Sequence, residues 1–141
     1  MASRNGLPTK WVWILDPVSL KQHPIQVIVD RCADANFICS QLVGQLHLDC
    51  FSHKGEFKWI NDAIFTTEKR AEVTWMGKGN KTGLCNLDVL ESETLRGKIV
   101  MGMPYLDDEN GGEKFLLDEA PVQPAPVCIT LSSKKKNQPV S

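Results

Sequence analysis

The densest chemistry in the chain lies in GQLHLDCFSH, residues 44–53, which carries two of the three histidines, an aspartate and a cysteine. Imidazole, carboxylate and thiolate are zinc ligands, and a histidine beside Asp or Cys is the arrangement used for acid–base and thiol catalysis. Spacing decides between these uses and a polar strand. In an extended chain Leu46, Leu48 and Cys50 share one face, while His47, Asp49, Phe51 and His53 share the other. At about 3.3 Å per residue His47 and His53 stand roughly 20 Å apart, whereas zinc holds each imidazole nitrogen near ~2 Å. His47 and Asp49 lie close enough to touch, but two ligands do not close a metal site. His23, the third histidine, precedes Pro24 on a separate segment. Only a sharp reversal at residues 52–55 would return His53 to Asp49. The expectation is therefore a polar strand face made of His47, Asp49 and His53, with no catalytic residue, metal or cofactor. Cys50 falls on the apolar face and lacks the local signature of a papain-like nucleophile.

Two loops invite ligand readings that their spacing does not sustain. GKGNKTG, residues 77–83, has the glycines and lysines of a phosphate cradle, but Leu84 stands where a P-loop needs lysine. It reads as a hairpin connection. Asp107 to Gly112 is acidic enough for calcium, yet Gly111 occupies a position that needs a ligand, so an acidic surface turn is expected. Asn80-Lys81-Thr82 is formally a glycosylation sequon, with no secretory signal in front of it.

The tryptophans carry a second functional reading. Trp11, Trp13, Trp59 and Trp75 all fall in segments that read as strands, with Lys10, Lys58 and Lys78 close by. Aromatic rings on a sheet face beside lysines hold single-stranded nucleic acid by stacking and phosphate contact, which nominates Lys58, Trp59, Trp75, Lys78 and Lys81. The competing use of such rings is core filling, and a net charge of −1 does not favour a polyanion partner. Lys134, Lys135 and Lys136 form a small basic run that could touch an anionic membrane surface weakly.

The elements that must position these residues are short and strand-like. Lys10 to Leu15 is apolar on both faces and stops at Asp16-Pro17, as a central strand would. Pro24 to Val29 is β-branched and reads as a second strand. Asp30 then suits the N-cap of a helix over residues 31–43, where Cys32, Ala35, Ile38, Cys39 and Leu42 recur at helical spacing before Gly44. Strands are expected over residues 45–51, 56–60, 71–76, 84–90, 98–103 and 114–117, with Asn110-Gly111 as a turn. Residues 89–96 read equally as a short helix. Pro121, Pro124 and Pro126 form a stiff connector, residues 121–126, to a last strand at 127–131.

The fold expected is mainly β, a sandwich or barrel with one or two helices, with α+β as the alternative. Residues 1–131 are expected to form one globular domain, with residues 132–141 as a flexible basic tail. Five cysteines in no regular spacing, each beside apolar residues, read as free core residues of a reducing compartment. No window approaches the ~20 apolar residues of a membrane span, so a cytoplasmic or nuclear protein is expected. Without a catalytic set, the first function expected is a non-enzymatic binding or assembly module, a small structural protein of a virus or a cytosolic adaptor, working through protein contacts or as a homo-oligomer. The nucleic-acid binder is the second, and a small enzyme centred on His47, Asp49 and His53 the third.

Overall fold

A computed structural model describes residues 7–58 and 61–122. Its strands are β1 (Thr9–Leu15), β2 (Gln22–Val29), β3 (Phe37–Cys39), β4 (Cys50–Lys58), β5 (Ile64–Met76), β6 (Thr82–Leu90) and β7 (Lys98–Met101). Helix α1 (Ser40–Gln45) and helix α2 (Met103–Leu106) are each little more than one turn. The strands pair in the order β1-β2-β7-β3-β6-β5, and β5 returns to β1 through Trp13 and Ile14, which closes a six-stranded barrel. Closure removes the free edges that an open sheet would expose. β4 stands outside the ring as the partner of β5 in a long hairpin.

The barrel forms because its strands alternate or bury both faces as their sequence allows. In β2, Ile25, Val27 and Val29 point inward while the residues between them are partly exposed. In β1, Val12 to Leu15 are all buried, because the C-terminal segment covers the outer side: Trp11 and Leu117 exchange backbone hydrogen bonds of 2.8 and 2.7 Å. Asp118 fastens that segment further by accepting from Lys10 and Lys78. Trp75 is 2% exposed, meets Tyr105 edge-on at 5.5 Å between centroids, and covers Gly83 on the neighbouring strand. A methyl group at Gly83 would stand 2.7 Å from the indole, so the ring itself requires glycine there.

Residues 31–49 depart most from expectation. The helix expected over residues 31–43 is a turn, then β3, then α1, and the strand expected over 45–51 begins only at Cys50. Ile38 and Cys39 are buried because β3 pairs with both β6 and β7, inside the sheet, and the apolar spacing that imitates a helix reflects that burial. Lys114 to Leu117 is a 3₁₀ turn (Glu113–Phe115) leading to the single bridge at Leu117. Among the described residues no helix is long and apolar enough to cross a membrane.

Candidate active site

The turn that follows β2 is built from small and polar residues, and its chemistry begins with Asp30. The backbone N–H of Asp30 donates to Met101 at 3.1 Å, which continues the parallel β2–β7 ladder by one residue. Its carboxylate then accepts from the Cys32 N–H at 3.0 Å, and its carbonyl from the Ala33 N–H at 3.1 Å. These are the bonds of an Asx turn, with Asp30 capping a turn and not a helix.

Asn36 locks that turn to the barrel. It is buried; its Oδ1 accepts from the Gly102 N–H at 2.9 Å and its Nδ2 donates to the Asn86 carbonyl at 3.2 Å. Its own carbonyl accepts from Asp88 N at 2.7 Å, and the Met103 N–H donates to Ala33 at 2.9 Å. Gly102 lies so close to the turn that an added Cβ would meet the Ala33 carbonyl oxygen at 2.7 Å, with the Ala35 carbonyl nearer still. Strand β6 and the segment that follows β7 thus hold the turn of Asp30 in one place. The guanidinium of Arg31 pairs with Glu113 and ties the outer side of the turn to the C-terminal segment.

Asp30 opens onto a cleft of about 1060 Å³, just above the usual ~300–1,000 Å³ of ligand pockets. Cys32 and Asp34 line it beside Asp30, the β4–β5 hairpin contributes Glu56, Phe57, Lys58, Ile64 and Phe65, and Leu90 to Leu95 supply part of the opposite wall. Phe37, Phe57 and Phe65 gather along one side, with Phe37 and Phe57 edge-on at 5.0 Å. An apolar cleft with a few fixed polar groups is the usual form of a substrate site.

This arrangement can be set beside known proteins. No family model and no curated protein matches the sequence. Among solved structures the chain is similar to EIAV protease complexed with the inhibitor HBY-793, with a TM-score of 0.56 and 17% identity. The match covers 79% of this chain and 95% of the protease chain. The barrel is similar in fold to a retroviral protease. That likeness corrects the expectation of a non-enzymatic binding or assembly module, and with it the reading that the chain is no enzyme. The expectation rests on the lack of a catalytic set within any one segment, whereas the cleft assembles its residues from segments far apart in the chain.

Of the described residues nominated from sequence, Lys58 lines the cleft and the others lie elsewhere. His47 is not on a strand: it follows α1 with a φ of 53°, and its Nδ1 stands 2.9 Å from the Asp16 carboxylate. Asp16 is buried and also accepts from the Val18 and Ser19 N–H groups, at 2.8 and 3.1 Å. The His47 hydrogen bond, aided by those two amides, holds the Asp16 carboxyl well below the usual carboxylate range against the opposing effect of burial. The Asp49 carbonyl accepts from Glu72, and His53 sits in a β-bulge between Ser52 and Gly55. The three do not form one polar face. Among the described residues no three His, Cys, Asp or Glu side chains gather as a metal site.

Trp75 is enclosed in the barrel, so it cannot stack on a base, and Trp59 lies outside the described residues. Lys78 is paired to Asp118, and Lys81 lies over the Phe115 ring at 5.5 Å. Lys58 is at the cleft. Cys32 and Cys50 are exposed, which corrects their assignment to the core, while Cys39 is buried. Burial, with a contribution from Asp108, pushes the Cys85 thiol up to about 12. Lys134, Lys135, Lys136 and Cys128 lie outside the described residues. Sequence reasoning missed Asp30 as a site residue, although Val27 to Asp30 and Ile99 to Gly102 both run β-branched and apolar into a polar residue or a glycine. Such strand ends mark where a sheet presents polar groups.

Proposed function

We propose that the chain is a hydrolase of peptide bonds, acting in the cleft, with the Asp30 carboxylate activating water. The observation that carries this reading is the placement of Asp30: a carboxylate at the end of a barrel strand, fixed by backbone bonds, at an apolar cleft. The likeness in fold to EIAV protease supports it.

The chemistry needs a carboxylate that takes a proton from water and an acid that protonates or polarises the substrate carbonyl. In aspartic proteases two carboxyl groups share one proton for this purpose. Here Oδ1 of Asp30 is engaged by the Cys32 N–H, which leaves Oδ2 to take the proton. Asp34 and Glu56 line the same cleft and supply further carboxyl groups. The phenylalanines put apolar surface beside these carboxyl groups, and a less polar surrounding strengthens electrostatic interactions. Hydrolysis of a library of unstructured peptides, followed by mass spectrometry across the acid range, tests the reading. Cleavage that Asp30→Asn abolishes is the expected result; cleavage that survives the substitution, or no cleavage of any peptide by the unaltered chain, overturns it.

A further inference from the structure

The cleft is charged as well as apolar, and the sign is uneven. Asp30 and Asp34 line it from the turn after β2 and Glu56 from β4, against one basic residue, Lys58, in the described lining. Phe37, Phe57 and Phe65 stand among these groups, and aromatic faces attract cations as carboxylates do. β4, which carries Glu56 and Lys58, is hydrogen-bonded to β5 on one side and has no strand on the other among the described residues. Its edge therefore offers backbone groups to an extended chain.

We propose that the occupant of the cleft is an extended polypeptide in which apolar side chains are accompanied by lysine or arginine. The proposal rests on the reading that the cleft is the substrate site, and it names the substrate's chemistry. Apolar side chains fill the phenylalanine-lined side, and the cationic groups meet Asp34 and Glu56. An acidic segment is disfavoured by the same carboxylates.

The test uses the full chain and fluorescence anisotropy of two short fluorescein-labelled peptides. Both alternate leucine and serine; one carries lysines at its ends and the other glutamates. The lysine peptide is expected to bind at least about tenfold more tightly, since each partly exposed pair contributes roughly two- to fivefold. Glu56→Gln and Asp34→Asn should each weaken it by about two- to fivefold with unchanged thermal unfolding, and added salt should narrow the difference. Equal affinity for the two peptides, or binding of neither, overturns the proposal. Cleavage is followed in the same samples. Lysine-selective binding without cleavage supports this proposal and removes the hydrolase reading, whereas cleavage without charge preference does the reverse.

Discussion

Replacing Asn36 by alanine should loosen the turn that carries Asp30, and the cost can be worked from its partners. Asn36 makes two side-chain hydrogen bonds, to the Gly102 N–H and to the Asn86 carbonyl. They differ in weight. The bond to the Asn86 carbonyl is the longer of the two, at 3.2 Å, and only part-buried, so it contributes at the low end, roughly 0.5 kcal/mol. Gly102 is buried, so truncating Asn36 removes the acceptor of its N–H away from water. Leaving a buried donor unsatisfied costs about 1–3 kcal/mol. The expected loss is therefore about 1.5–3.5 kcal/mol, which at a urea slope of roughly 2 kcal/mol per molar shifts the midpoint down by about 0.8–1.8 M with an unchanged slope. Urea unfolding followed by circular dichroism measures it, with the exposed Glu119→Ala as the control. A loss under about 0.5 kcal/mol, the range of ordinary surface changes, would refute the claim that Asn36 locks the turn.

The other predictions concern the same scaffold and the histidine that stands apart from it. Gly102→Ala should destabilise by about 1–3 kcal/mol or prevent folding, because the added methyl meets two carbonyl oxygens; thermal unfolding at the native midpoint would contradict this. The Asp16 carboxyl is depressed in the folded chain, so its contribution is complete above the ordinary value near ~4 and is lost as pH falls through the lowered value. His47→Ala removes the largest cause of that depression and should raise the midpoint of acid unfolding; identical acid transitions in the two chains would show the pair to be idle. Trp75 should emit as a buried indole and stay unquenched by a single-stranded oligonucleotide, which Trp75→Phe difference spectra would check.

The parts of the fold that local chemistry determines were legible in the sequence. β1 ends where Asp16-Pro17 says it must, β2 alternates as its β-branched residues require, and the hairpin connection expected at residues 77–83 joins β5 to β6 over residues 77–81. What misled was residues 31–49, where apolar spacing suited a helix but the residues are held by partners far away. Asn36 is bonded 50 and 66 residues along the chain, and His47 meets Asp16 across 31. Pro104 follows the strand expected over residues 98–103 and stands in the first turn of α2, where a missing N–H costs nothing.

The candidate site was hidden for the same reason. GQLHLDCFSH concentrates polar side chains in sequence and the fold scatters them, with His47 turned to Asp16 and His53 in a bulge. The cleft instead draws on the turn after β2, on β3, on the β4–β5 hairpin and on the segment after β6. None of those segments holds a motif alone: Asp30 and Asp34 share one turn, and the β4–β5 hairpin brings Glu56 to the same opening.

The most direct measurement of the central claim is peptide cleavage by the purified chain at acid pH, with Asp30→Asn beside it and both shown folded by circular dichroism. Cleavage by the unaltered chain, lost by at least about a hundredfold in the variant as befits an acid–base group, is the result predicted. Equal cleavage by the two chains, or none by the unaltered one, would contradict the assignment of the cleft as an active site.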